Sequence, residues 1–349
     1  MSPAKKKPAP KKAPALKAKA PKALAVEPRK KNKGAAILVV LAVVLGLVAQ
    51  AGWVFVRDRK TQVTLHYDMA IAPRGPGKGQ VTGCRHMAAD AKGNLYYLQG
   101  VNESSTLQKF ARDGKWLAWV GAGSPDKDKL YNGWAVAAAA DGTAWVAERG
   151  TGFVKQYGED LKLKRSVALA GSDSEGIAVA PDGSVWVSSF SGQLYSLAPG
   201  ADSFKPFTGS GKGRLIAPYR LCFAPDGAMY VLDFTKGQGQ DPSVMCYDAK
   251  GGFVRSWVVK DQPVNEFMDI AWHPQGYVVL NDSRPEVVDA KGFRLYTPNG
   301  KLAGVATLTD TGQNLRAIPG FAISPNGDWY MDLTPLQQGC GRLSWLQAL

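Results

Sequence analysis

The sequence predicts an all-β fold, a six-bladed β-propeller, preceded by a disordered basic tail and one transmembrane α-helix. Three observations predict it. A strand–turn–strand unit recurs six times with its turn glycine at blade-length spacing. An uncharged apolar run of membrane-spanning length precedes the repeats. The residues before that run are almost wholly Lys, Ala and Pro.

The net charge of +14 is concentrated at the N-terminus. Residues 1–34 hold twelve Lys or Arg against one acid, Glu27. Such a stretch buries too little apolar surface to offset the entropy of ordering, which predicts an extended, disordered tail. Three readings of it are open: a solvated spacer whose charge fixes topology, a contact with anionic lipid, and a contact with nucleic acid. Residues 61–349 carry a net charge of only +1, so charge does not mark the folded part as nucleic-acid binding.

Residues 35–56 read AAILVVLAVVLGLVAQAGWVFV, with no charge. At about 1.5 Å per residue this segment matches the bilayer core in length. Arg29, Lys30, Lys31 and Lys33 precede it, whereas Arg57, Asp58, Arg59 and Lys60 follow with less net charge, so the positive-inside rule keeps the N-terminus in the cytoplasm and exports the C-terminal domain. The rival reading is a signal peptide cut after Ala51, from the Ala49-Gln50-Ala51 pattern. The predicted organisation is a tail over 1–34, a transmembrane helix over 35–56, a linker over 57–61 and a propeller over 62–349.

The six copies are MAADAKGNLYYL, VAAAADGTAWVA, IAVAPDGSVWVS, LCFAPDGAMYVL, IAWHPQGYVVLN and FAISPNGDWYMD, with turn glycines at 93, 142, 183, 227, 276 and 327. That spacing is one four-stranded blade. Glycine stands there because a tight hairpin needs positive φ. An aromatic residue follows three positions later in five copies (Tyr96, Trp145, Trp186, Tyr230, Tyr330), where it is expected to pack between neighbouring blades. Weaker strands over 107–121, 152–169, 243–259 and 293–308 supply outer strands. The sixth copy has only 342–349 for its third strand, so its fourth is expected from 62–68, joining the two ends of the chain in one sheet.

The units IAVAPDGSVWVS and LCFAPDGAMYVLDFTKGQGQDPSVMCYDAKGGFVRSW resemble NHL repeats: an apolar strand, P-D-G, an aromatic strand ending in Asp, then a strand ending in a D-x-x-G turn. The resemblance covers 62–349 and extends in architecture to gluconolactonase-like and paraoxonase-like propellers. Those similar propellers imply a divalent cation, such as calcium, at the channel, for which Glu175 and Asp269 are the candidate oxygen ligands. The NHL Asp six residues after the turn glycine is kept as Asp233 and Asp282 and replaced by Gln99, Glu148, Ser189 and Leu333 elsewhere.

Residues just before each innermost strand and just after its neighbour share one face around the channel. Counting back from the turn glycines places Arg85, His86, Trp134, Glu175, Tyr219, Arg220 and Asp269 there; Glu148, Arg149, Asp233, Asn281 and Asp282 should rim it. Convergent polar and aromatic groups make this the candidate ligand site. Arg85, His86 and Arg220 beside the carboxylates favour salt bridges over a metal, and the rim carboxylates suit the bracing of loops.

No catalytic pattern emerges: Thr208–Gly213 lacks essential parts of a phosphate-binding loop, and G-x-S-x-G is absent. Cys84 and Cys340 are a candidate disulfide clasp between the first and last blades, while Cys222 and Cys246 are expected as free thiols. Three functions follow as expectations: an exported, tethered module binding a protein, peptide or glycan; a metal-dependent lactonase-type hydrolase; and a structural or sensory tether acting through the basic tail.

Overall fold

The computed structural model describes residues 61–101, 104–121, 129–171, 173–234, 241–260, 269–282, 292–308, 320–334 and 338–347. The tail, the apolar segment 35–56 and the linker to residue 60 lie outside them. Among the described residues no helix is long and apolar enough to cross a membrane.

The described chain is an all-β, propeller-like fold. It opens with β1 (Thr61–Ala72). Four consecutive four-stranded sheets follow: β2 (Cys84–Ala89), β3 (Leu95–Val101), β4 (Ser104–Phe110) and β5 (Trp116–Val120); β6 (Gly133–Ala138), β7 (Ala144–Glu148), β8 (Phe153–Tyr157) and β9 (Leu163–Ala168); β10 (Ser174–Val179), β11 (Val185–Ser189), β12 (Gln193–Leu197) and β13 (Lys205–Phe207); β14 (Pro218–Phe223), β15 (Met229–Asp233), β16 (Ser243–Tyr247) and β17 (Phe253–Val258). The remaining strands are β18 (Ile270–His273), β19 (Tyr277–Asp282), β20 (Gly292–Tyr296), β21 (Leu302–Leu308), β22 (Phe321–Ile323), β23 (Trp329–Asp332) and β24 (Cys340–Gln347). These join β1 in one eight-stranded sheet of order β18-β19-β20-β21-β1-β24-β23-β22.

The six expected hairpins all form. Their turn glycines have φ between 78° and 88°, and each donates its N–H to the carbonyl three residues earlier, as Gly183 does to Ala180. The first strand of each hairpin faces the axis: β2 packs on β6, β6 on β10, β10 on β14, β14 on β18, and β22 meets both β18 and β2.

Four of the repeated aromatics, Tyr96, Trp145, Tyr230 and Tyr330, are fully buried or nearly so at the junctions between sheets. Tyr96 donates its hydroxyl to the Gly142 carbonyl of the next hairpin turn at 2.9 Å, and Tyr330 donates in the same way to Gly93 at 2.5 Å. Tyr230 instead stacks on Trp272 at a centroid distance of 5.7 Å. Tyr96 and Tyr330 thus tie their own sheet to the following one by apolar burial with a satisfied polar tip, and Tyr230 does so by stacking.

The ends of the chain meet as expected, and with one addition. Strand β1 pairs antiparallel with β24 from Val63↔Gln347 to Ala72↔Cys340. It also pairs parallel with β21 from Thr61↔Gly304 to Leu65↔Leu308, which the sequence pattern does not announce. Val63 and Leu65 are buried there with Phe293, Leu295 and Trp329.

The expected Cys84–Cys340 clasp does not form: Cys84, Cys222, Cys246 and Cys340 are all free thiols. The Cys340 sulfur lies against the Met87 thioether at 4.0 Å, and burial pushes both thiols well above their usual pKa. Hydrogen bonds join the first and last hairpins instead. Tyr97 donates to Asp332 Oδ1 at 2.9 Å, Arg112 grips Asp328 through two bonds of 2.7 Å, and Asn326 Nδ2 donates to the Ala91 carbonyl at 2.7 Å.

Truncating Leu65 removes a fully buried side chain from the strand that holds the ends together. Leu65→Ala should lower the unfolding free energy by about 2–5 kcal/mol, read as a fall in the urea midpoint; an exposed control, Val305→Ala, should change it little.

Candidate functional site

The face opposite the hairpin turns is organised by one repeated device. In four of the six hairpins a side chain near the end of the second strand accepts an amide from the segment entering the first. Gln99 Oε1 takes Thr82 N–H at 3.0 Å, Glu148 Oε1 takes Tyr131 N–H at 2.9 Å, Asp233 Oδ1 takes Ala217 N–H at 2.6 Å, and Asn281 Oδ1 takes Asp269 N–H at 2.6 Å. Paired with Lys155 Nζ at 2.8 Å, Glu148 is buried. Burial raises the Asp233 carboxyl pKa, against the two backbone bonds that favour its charge. These rim residues thus sit in braces of the backbone. Asp282 ends β19 opposite Gly292, and its side chain lies outside the described residues.

Inside the rim, the residues counted back from the turn glycines converge across different sheets. The Trp134 ring lies under two guanidinium groups, Arg149 at 4.5 Å and Arg85 at 5.3 Å from its centroid. Its indole N–H donates to Glu175 Oε2 at 2.8 Å, and the other oxygen of Glu175 faces Arg149 at 3.1 Å. Arg85 also donates to Asn132 Oδ1 at 2.8 Å and to the Gly133 carbonyl at 3.0 Å. Arg220 donates to the Glu175 carbonyl and lies over the Tyr219 ring at 4.8 Å.

A second pair spans the axis. His86 Nε2 faces Asp269 Oδ2 at 3.4 Å, while His86 Nδ1 accepts the Val136 N–H at 3.3 Å. An accepting Nδ1 places the ring proton on Nε2, toward the carboxylate. One bond thus links β2 to the start of β18 and another links it to β6. Burial opposes the charge on Asp269, yet His86 and Arg220 hold its carboxyl below the ordinary value. At Glu175 the balance reverses: burial raises the carboxyl pKa despite Arg149, Arg220 and Trp134.

Two aromatic residues of this face are not among those counted from the sequence. Phe190, 39% exposed, stacks on Tyr219 at 5.5 Å, and Phe234 approaches Tyr219 at 5.2 Å. The signal was one residue further along. Arg149, Phe190 and Phe234 each stand seven positions after a turn glycine, at the first residue beyond the second strand.

Glu175 and Asp269, the two candidate metal ligands, are both engaged by cations or donors of the protein. Among the described residues no three His, Cys, Asp or Glu side chains converge in a way that could hold a metal ion. Between the His86–Asp269 pair and the hairpin turns, the inner strands enclose a cavity of about 770 Å³.

The chain is similar in structure to streptogramin B lyase. The likeness has a TM-score of 0.52 at 12% identity, covering 76% of this chain and 94% of that one. A selenomethionine-substituted virginiamycin B lyase from Staphylococcus aureus gives a TM-score of 0.51 at 12% identity, covering 76% of this chain and 85% of that one. Identity this low shows a shared fold alone. No family model matches the chain, and no curated protein matches it.

The Asp269 pairing has a pH signature. Its carboxyl titrates lower when folded than when unfolded, so the stabilisation is present above the unfolded value of 3.8 and is lost as the pH falls through the lower folded value. Asp269→Asn should therefore flatten the decline of the urea midpoint as the pH falls from 3.8 through the folded value, relative to the parent protein.

Proposed function

We propose that the protein is a membrane-tethered, extracytoplasmic binding module, a six-bladed propeller of NHL type that engages a protein, peptide or glycan at its channel face. Reading the eight-stranded sheet as two blades, β18–β21 and β22–β24 with β1, gives six units that match the six turn glycines. The apolar segment 35–56 is the proposed anchor, with the basic tail on the cytoplasmic side.

One observation carries the binding reading. The carboxylates that could have supported metal chemistry, Glu175 and Asp269, are buried against Arg149, Trp134 and His86. Among the described residues, the groups this face offers to solvent include a part-exposed Arg149 and the ring of Phe190. Rings and guanidinium groups on a rigid scaffold suit recognition: apolar area, stacking and charged hydrogen bonds at little cost in ordering. A lactonase-type centre instead needs oxygen ligands free to take an ion.

The test uses the full-length chain in its own envelope. A photo-crosslinking residue at Phe190 should give a discrete covalent adduct, and the same residue at Val254, on the outer strand β17, should give none. Adduct formation at both sites or at neither would contradict the reading. Calcium added to the purified protein should leave the melting temperature unchanged; a rise that Glu175→Ala and Asp269→Ala abolish would favour the hydrolase instead. Protease reaching the propeller only from the outer side of the membrane would fit the proposed orientation.

A further inference from the structure

The cavity on the axis lies at the opposite end from the channel-face rings. Its walls come from all six inner strands, with small or apolar side chains such as Ala88, Ala139, Val179, Leu221, Ala271 and Ile323. A volume of about 770 Å³ lies within the range of pockets that enclose a small organic molecule. Short alanine side chains keep it open, and apolar walls favour a ligand body that loses water on entry.

The charges along the lining are unequal. Asp90, Asp141, Asp182 and Asp269 face it, against one guanidinium, Arg165. That guanidinium is turned to its neighbours: Nε donates to Gln156 Oε1 at 3.0 Å, a terminal nitrogen donates to the Ala201 carbonyl at 2.9 Å, and the group lies over the Trp145 ring at 5.0 Å. Asp269 is occupied by His86, and Asp90 by Asn94 and Tyr96. Asp141 and Asp182 stand in the hairpin turns at the mouth, both exposed, with Lys164 offsetting part of the charge on Asp141. Each uses Oδ1 to hold its own turn, Asp141 with Thr143 and Asp182 with Ser184.

We propose that this cavity binds an organic cation, a molecule with an apolar body and an ammonium head. The body lies among the inner strands, and the head sits at the mouth with Asp141 and Asp182. Low-dielectric walls concentrate the field of those carboxylates on the opening. An anion of the same shape meets the same carboxylates unfavourably. The site is separate from the channel-face reading, and either can stand without the other.

Calorimetry on the full-length protein with three probes of one shape tests this: 4-phenylbutylamine, 4-phenylbutanol and 4-phenylbutanoate. The amine should bind about tenfold more tightly than the acid, with the alcohol between them. The Asp141→Asn, Asp182→Asn double variant keeps both turn acceptors and removes both charges. It should weaken the amine about fivefold while leaving the alcohol unchanged. Ala139→Phe, which narrows the mouth, should weaken all three, with the melting curve reporting whether it folds. No measurable heat from the amine at about 1 mM, equal affinity for amine and acid, or unchanged amine affinity in the double variant would each overturn the proposal.

Discussion

The structure depends on where β1 goes. A circular array of sheets has two chain ends and therefore two exposed strand edges, each a row of unpaired backbone donors and acceptors. Here the first strand is inserted between β24 and β21, antiparallel to one and parallel to the other, so a single segment satisfies an edge on either side. Val63 and Leu65 bury their side chains in the same step. The junction between the first and last hairpins is held by Tyr97, Tyr330, Arg112 and Asn326. With the ends so fixed, the inner strands come together around one axis, and residues distant in sequence share one face and one cavity.

Along that axis the chemistry changes. At the hairpin end the lining is acidic and lightly packed; at the other end charges are paired across sheets. The His86–Asp269 pair and the Arg220–Glu175 contact connect inner strands that are far apart in sequence. Loss of His86 would take a partner from the buried Asp269 carboxylate, and loss of Arg220 would leave the Glu175 carbonyl without its donor, so these contacts act as positional constraints as much as sources of stability. They leave Arg149 and Phe190 as accessible groups of the face.

Much of this was legible in the sequence, because the repeat forces it. Six glycines at blade spacing located all six hairpins, and counting back from them brought His86, Trp134, Glu175, Arg220 and Asp269 to one region. Glu148 and Asp233, counted with the ligand-site candidates, accept backbone amides, the bracing use also weighed for carboxylates at that position. Other features were not legible, for physical reasons. Whether two cysteines pair depends on a few ångströms of geometry that repeat arithmetic does not give, and Met87 occupies the space beside Cys340. The parallel pairing of β1 with β21 joins segments about 240 residues apart through backbone groups that carry no sequence signature. The aromatic pair Phe190 and Tyr219 was half visible, since Tyr219 precedes an inner strand while Phe190 lies just beyond a second strand.

The central claim, that the ring is sealed by its first strand, is tested most directly by native-state hydrogen exchange on the full-length chain. If β1 is part of the closed fold, the amides of Val63, Leu65 and Tyr67 open with the same free energy as those of Val187 in β11 and Val231 in β15, in one cooperative unit. If β1 and β24 exchange through a separate opening of far lower free energy, the ends are only laid against one another and the account fails.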